Sequence, residues 1–502
     1  MLNKLKMLWQ DAAKEKYVFF DFNDVSLLLA EELIKQKKGV VMFLLYDRVN
    51  EFQRKEIESI GAHCFIQQHS DTSLINDRWL RKIILSNKTC LFFLSDNDLD
   101  NFQPLIRFFS TWKKGKFEKV KKNVELIIRV NFTSTNYDYE SFIKKSSLKV
   151  KYTLFNEAEL IASEVVRKFP PIDTLNVNTE NATVNDTYEA LIIGFDTSAE
   201  AILRKLIEAT QFVGTQFKAT VMLSDKGRDV DTMLNEYPEM RNHYDIDFLH
   251  YDIDSDDLTQ WTQEHIDTLK QIVISAENDD EKFIAALNLE TFLSDSNIDH
   301  IPIIIVCRDH EKAFLEQKEN YSSMRLVGDY RNIFTESNLL KSNYLQQAKA
   351  VHHFYNQLKP SAQRVPWEQL SYIKKESNIA AAESLYAKLK LMGKTIAKVK
   401  KMSEVEFQLF LQENPERLLN LAKAEHLRWS ATYFTRGWKT WQWSKVPKKW
   451  PHHDEKKQRH ACLVDWDALK EVEKRFNIPF QLYDYNNVFI IRMLIDNNVL
   501  NS

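Results

Sequence analysis

A chain of 502 residues has room for about three or four domains of ~150 residues each, and 44% apolar side chains, with 12% aromatic, can fill several cores without covalent staples. Its 68 Lys and Arg against 71 Asp and Glu leave a net charge of -3, which excludes a global field drawing the chain onto nucleic acid or an anionic membrane. Glycine is scarce, 9 residues where about 7% of a chain is usual, so few loops can bring backbone amides close to a phosphate.

Residues 17–20 form an apolar strand-like run, residues 25–34 carry apolar side chains at helical spacing, and residues 40–46 form a second strand: a βαβ opening. Strand candidates at 63–66, 90–94 and 126–130 alternate with polar helical stretches, the pattern of a parallel sheet covered on both faces. Residues 1–170 are therefore expected to form one doubly wound domain. Pro170-Pro171 and the Asn- and Thr-rich stretch 176–187 read as a linker, placed at 171–187, that cannot bury enough apolar surface to fold by itself. The pattern then restarts, with a strand at 189–194, a helix at 198–206 and strands at 219–223, 246–249, 272–275 and 301–307, which gives a second α/β domain over 186–335. From 336 to 502 the strand signals stop, and a helical pattern dense in Trp and Tyr takes over. Within it, 348–355 (AKAVHHFY) and 422–429 (AKAEHLRW) share the form AKAxHxx-aromatic, and each precedes a Trp-x-x-Leu element, Trp367 to Leu370 and Trp466 to Leu469. Two related helical repeats are the simplest reading.

A dinucleotide-binding turn needs GxGxxG between the first strand and helix, because the glycines permit the tight turn, the approach of pyrophosphate and helix packing. Neither domain has it. The first reads Asp21-Phe22-Asn23-Asp24-Val25-Ser26, with two acids where a phosphate would sit, and the second keeps only Gly194, followed by Asp196. In layout, residues 15 to 315 resemble the TrkA-N (KTN/RCK) family of regulatory Rossmann domains, including Asp47 and Asp225 near the ends of the second strands. In that family such an acid contacts a ribose hydroxyl, so the resemblance makes Gly194 and Asp225 the cofactor-binding candidates. The lost glycines favour scaffold and dimer surface over retained NAD binding.

Leu421 to Trp438 reads LAKAEHLRWSATYFTRGW, with Ala422, His426, Trp429 and Tyr433 on one face of a helix that should end at Gly437. Arg459 to Leu469 reads RHACLVDWDAL. Together these resemble the RyR domain, whose pattern is a helix with His-x-x-Trp, a Gly-Trp, a His-Pro-Cys-Leu-Val stretch and a Trp or Phe before a Leu; Ala461 here replaces the proline. The expected fold is thus two doubly wound Rossmann-like domains followed by a mostly α-helical tandem RyR-repeat domain. In ryanodine receptors the tandem repeats hold an adenine nucleotide between aromatic rings, and the Gly-Trp residue corresponds to Trp438.

Trp438, Trp429 and Trp466 offer flat apolar faces, and Arg428, Arg436 and Arg459 supply cations nearby; aromatic faces stack on bases and cations hold phosphates. His426, His460 and Tyr355 complete the ligand-binding candidates. Trp438, just past a helix end and beside cations, is expected to stack on the base, while Trp429, on a helical stripe, is expected to be core. His452-His453 reads as an exposed loop pair, with no third ligand at metal spacing.

Cys64, Cys90, Cys307 and Cys462 lie far apart without a CxxC pair, and three of them read as ordinary buried strand residues. The longest apolar runs fall far short of the ~20 residues that span a bilayer, and the N-terminus lacks a signal-peptide pattern, so a cytoplasmic location is expected. No GxSxG, Walker A or HExxH signature is present, and no catalytic residue is assigned. The functional expectation is a sensor of an adenine-containing nucleotide or NAD-derived messenger, placed by the RyR resemblance in antiviral nucleotide signalling. It would need no cofactor, and would act as a homo-oligomer with a downstream effector protein. A KTN/RCK-like regulatory subunit of an ion transport system and an undetected nucleotide-processing enzyme are the alternatives.

Overall fold

The computed structural model describes residues 15–36, 39–46, 50–67, 88–114, 124–131, 133–145, 150–223, 229–251, 256–276, 278–309, 323–340, 343–357, 359, 361, 364–447 and 451–496. The chain divides into two compact units, residues 1–160 with 330–342, and residues 161–329 with 343–502.

In the first unit, β1 (Glu15–Phe19), β2 (Gly39–Tyr46), β3 (His63–Gln67), β4 (Thr89–Phe93), β5 (Val124–Arg129) and β6 (Lys151–Phe155) form a parallel sheet in the order β3-β2-β1-β4-β5-β6. Helices α1 (Asp24–Lys35), α2 (Glu51–Ser59), α3 (Asp98–Lys114) and α4 (Thr133–Lys145) connect the strands, and α5 (Glu157–Lys168) follows the last of them and from Ile161 onward belongs to the second unit. Strands apolar on both sides form here because helices cover both faces. Phe19 stacks between Phe43 and Phe92 at 5.0 and 4.5 Å, while Val18, Phe93 and Leu126 pack in the opposite layer. The sequence pattern gives no strand at β6, because KYTLF is a short edge strand in which Lys151 and Thr153 interrupt the apolar run and only Phe155 is buried. The same unit takes in α11 (Tyr330–Ile333) and α12 (Glu336–Leu339); the Glu336 amide donates to Glu32 at 2.8 Å, and the ring of Phe334, between the two helices, meets Phe155. Residues 336–340, expected to open the helical region, therefore pack with the first sheet instead.

In the second unit a short antiparallel pair, β7 (Val177–Asn178) and β8 (Thr183–Val184), precedes β9 (Thr187–Ile193). Then come α6 (Thr197–Ala209), β10 (Gln216–Leu223), α7 (Val230–Glu236), α8 (Pro238–His243), β11 (Asp245–His250), α9 (Asp257–Glu264), β12 (Leu269–Ile274), α10 (Asp279–Asp295), β13 (Ile303–Val306) and β14 (Met324–Val327). The sheet order is β11-β10-β9-β12-β13-β14, all parallel, repeating the first. Residues 176–187 are not a loose tether. Ala182 and Val184 are fully buried, and the Asn414 and Asn420 side-chain amides donate to the carbonyls of Glu180 and Asn181 at 2.7 and 2.9 Å, so both apolar burial and polar side chains of the later region hold the segment.

The helical region comprises α13 (Asn343–Gln357), α14 (Tyr372–Glu383), α15 (Leu385–Leu391), α16 (Ile396–Lys400), α17 (Glu404–Gln412), α18 (Pro415–Phe434), α19 (Leu469–Phe476) and α20 (Phe480–Asp496). A small sheet, β15 (Lys439–Thr440), β16 (His453–Asp454) and β17 (Arg459–His460), interrupts it in the order β15-β17-β16. Its strands are two residues each, too short for a periodicity signal. The internal echo is structural. His352 on α13 donates to the Val365 carbonyl at 2.7 Å and meets Trp367 edge-on at 5.9 Å, while His426 on α18 reaches the Val464 carbonyl at 2.8 Å and meets Trp466 edge-on at 5.9 Å. In both copies the histidine binds the carbonyl two residues before the tryptophan.

This region covers α6, whose Glu200, Arg204, Lys205 and Glu208 are all buried. A helix polar on its outer face reads as solvent-facing in sequence, but here a second layer closes over it. No helix among the described residues is long and apolar enough to cross a membrane.

Candidate functional site

Helix α18 organises the site. Asn414 caps it by accepting from the Arg417 amide at 3.0 Å, and Pro415 occupies the first turn, where a missing N–H costs nothing. Its end is a Schellman turn: Gly437 adopts φ +80°, its amide donates to Phe434 at 3.1 Å, and the Trp438 amide donates to Tyr433 at 3.0 Å. A Cβ at Gly437 would also stand 2.8 Å from the Glu236 carbonyl, so glycine is required twice over.

That turn folds Trp438 back onto the helix, into the hydrophobic contact that accompanies such caps. It packs against Tyr433 at 5.0 Å with Ile373, Phe434 and Leu463, and is 1% exposed. Its indole N–H is enclosed without a hydrogen-bond partner. Trp429 is half-buried, with ring contacts to Tyr433 (4.5 Å), His460 (5.0 Å) and His426 (5.9 Å). The two tryptophans are thus buried in the opposite order to that expected from sequence, and Trp438 presents no open face to a base. The signal was available: a large apolar residue directly after a helix-ending glycine is where the cap places its apolar contact. Trp466 is half-buried against His426 and Tyr485, and Tyr355 donates to the Tyr483 carbonyl at 3.3 Å.

The opposite face of α18 is ionic and buried. Glu425 takes both Arg428 (2.7 and 3.0 Å) and Lys388 of α15 (2.8 Å), and Asn487 of α20 donates to it at 2.7 Å. Burial drives the Glu425 carboxyl up, but Arg428 and Lys388 overcome it and hold it down to about 2. Burial in turn lowers the Lys388 ammonium. Arg436, 2% exposed, reaches Glu208 of α6 at 2.8 Å and Glu376 of α14 at 3.3 Å, and Lys205 pairs with Glu383 at 2.7 Å. Arg428 and Arg436 therefore turn away from Trp429 and Trp438, into ion pairs with Glu425 and Glu208. Arg459 lies half-exposed on β17, paired in register with Lys439 and Asp454.

Beside this network lies a cavity of about 380 Å³, lined among others by Lys205, Phe212, Glu383, Tyr386, Lys388 and Arg428, with Arg167, Lys168 and Pro170-Pro171 also on its wall. It opens where α5, α6, α15 and α18 meet.

The strand-to-helix turns of the two sheets are closed by their own side chains. Gly194, at φ +78°, passes so close to β12 that a Cβ would stand 2.5 Å from the Ser275 carbonyl, and Asp196 caps α6 by accepting from Ala199 and Ser275 at 2.8 Å each. A carboxylate of the chain sits where a phosphate would. Asp225 and Asp47 lie outside the described residues. In the first unit Asn23 and Ser26 form a capping box, and the Leu94 amide donates to Asp21 at 2.7 Å. Burial raises the Asp21 carboxyl to about 7, against the Leu94 amide and Arg129. A carboxyl raised in the fold stabilises below its unfolded pKa of 3.8 and loses that contribution as pH rises through about 7. Asp21→Asn is therefore expected to raise the melting temperature of the first unit by a few degrees at pH 8 and by less at pH 4, by scanning calorimetry; equal melting at pH 8 refutes it.

His452 and His453 are half-buried, not exposed, and β-pairing brings His460 beside them. Their convergence was invisible in sequence, because His460 stands seven residues downstream across a turn that positive φ at Gln458 creates. All four cysteines are buried and none is in a disulfide, and burial pushes the Cys462 thiol well up. No known family model matches this chain, and no curated protein matches it.

Proposed function

We propose that the chain is a nucleotide-sensing regulatory protein, in which an adenine-containing nucleotide or NAD-derived messenger enters the cavity between the second parallel sheet's helices and the helical region. The carrying observation is that cavity. Its volume of about 380 Å³ falls in the range of small-molecule sites, and its wall pairs flat apolar groups, Phe212, Tyr386 and Pro170-Pro171, with the cations Arg167, Lys168, Lys205, Lys388 and Arg428. Phosphates would compete with Glu383 and Glu425 for Lys205, Lys388 and Arg428, so ligand binding and the ionic network that joins α6 to α18 would be coupled. The doubled histidine–carbonyl–tryptophan unit supports reading the helical region as two related repeats of RyR type. A transport-regulator reading would place the ligand at Gly194, where the Asp196 cap stands in its way.

The test uses the full chain in thermal shift with ATP, ADP, AMP and NAD. A ligand present at 100 times its Kd stabilises by about 2.7 kcal/mol, a shift of several degrees. Ala387→Phe, which fills the cavity without removing a charge, should abolish the shift while leaving the unliganded melting temperature within a few degrees. Retention of the full shift in that variant refutes the placement, and no shift with any nucleotide in the native chain refutes the ligand class. Turnover of the bound nucleotide would mark an enzyme.

A further inference from the structure

We propose that His452, His453 and His460 form a binding site for one divalent transition metal ion of the zinc type, separate from the cavity. Antiparallel pairing of β16 and β17 sets His453 opposite His460, and the Ala461 amide donates to the His452 carbonyl at 2.9 Å, so the backbone of all three ligands is fixed. One ring nitrogen from each comes within 4.8 Å of the others. The ring centroids are 4.8 Å (His452–His453), 5.0 Å (His452–His460) and 5.5 Å (His453–His460) apart. Three imidazoles at about 2.0–2.1 Å from a tetrahedral ion place their centroids about 5.2 Å apart and their nitrogens about 3.4 Å apart. The rings already stand at that spacing, and the nitrogens close on the ion by turning about an ångström inward.

The surroundings fit a metal better than a charge-bearing histidine cluster. Phe476 and Phe480 wall His452 at 5.9 and 5.0 Å, and Trp429, Tyr433 and Trp438 lie around His460. Burial lowers all three imidazoles, which keeps them in the neutral form that ligates. The charged groups facing them are Lys374, Asp454, Glu455 and, beyond, His426. Lys374 is held by Glu455 at 3.1 Å, which offsets its charge. Glu455 also approaches His453 to 3.9 Å, which makes it the nearest carboxylate for a fourth position or for orienting a bound water. Three imidazoles and one oxygen suit zinc, copper or nickel and not magnesium or calcium. One feature of the site changes on loading. The Cys462 amide donates to His460 Nδ1 at 3.1 Å, so coordination through Nε2 moves the ring proton to Nδ1 and gives up that single neutral hydrogen bond.

The experiment is metal titration of the full chain after chelator treatment and dialysis. One equivalent of Co²⁺ should give the intense visible absorption of tetrahedral cobalt, Zn²⁺ should displace it, and Zn²⁺ should raise the melting temperature, whereas Mg²⁺ should do none of these. His453→Gln, at a half-buried position, should fold, lose the cobalt spectrum and bind Zn²⁺ at least tenfold more weakly, with His452→Gln behaving alike. His353→Gln, on the exposed face of α13, is the control and should bind normally. A cobalt spectrum unchanged in both site variants, or no binding by the native chain at micromolar metal, overturns the proposal.

Discussion

Glu425→Gln is expected to remove about 3 to 5 kcal/mol from the stability of the second unit, the cost of leaving buried charges without their counter-ion. Lys388 and Arg428 share this one carboxylate, both are buried, and both lose their partner at once. Glutamine retains an oxygen for one donor but no charge for either cation. Equilibrium denaturation followed by tryptophan emission is dominated by this unit, which holds eight of the chain's 11 tryptophans, and Trp9, Trp79 and Trp112 of the first unit are replaced by phenylalanine in both proteins compared. The pH dependence supplies a second reading. A carboxyl held down to about 2 contributes above its unfolded pKa of 4.5, and the contribution is lost as pH falls from about 4.5 towards 2. That loss amounts to about 3 kcal/mol in the native chain and should be absent from the variant. A destabilisation below about 1 kcal/mol at pH 7, or an unchanged acid limb, would show that the network is solvated and not sealed.

Trp438→Ala is the other large effect, about 3 to 5 kcal/mol, because a fully enclosed indole is replaced by a cavity. The half-buried Trp429 serves as comparison and should cost about half as much, since part of its ring is already in water. Urea midpoints for the two variants settle the order. Were Trp429→Ala the more damaging, Trp438 would be a ring that swings out, and its buried N–H without a partner would be the reason.

The sequence carries the sheets clearly and the site poorly, for physical reasons. Central strands such as β1, β4 and β12 are buried on both faces and carry apolar runs, Tyr17 to Phe19, Cys90 to Phe93 and Ile272 to Ile274, whereas the edge strands β6 and β14 are short, partly exposed and not evident in the sequence. Gly437 announced the end of α18 because only a residue free at φ +80° closes that turn. Helical spacing correctly put His426, Trp429 and Tyr433 on one face. Closeness in sequence grouped Arg428 and Arg436 with them, but which partner each cation meets, the Glu425 and Lys388 network or Glu208, is not written in local spacing. The network residues Glu208, Glu376 and Lys388 come from three other helices, and no local pattern links them.

The path of the chain between its two units bears on how the protein is made. The first sheet is synthesised early, yet the segment that supplies the Glu336 amide to Glu32 and the Phe334 ring to Phe155 leaves the ribosome only after all of residues 161–329. Until then α1 and β6 stand with those contacts unmade. The second unit in turn waits for residues 343–502 before the charges along α6 find their partners. The first unit is completed only after most of the second has been made, and a gene cut at residue 170 or 335 separates segments that belong to one unit, so it yields two unfinished pieces, not two domains.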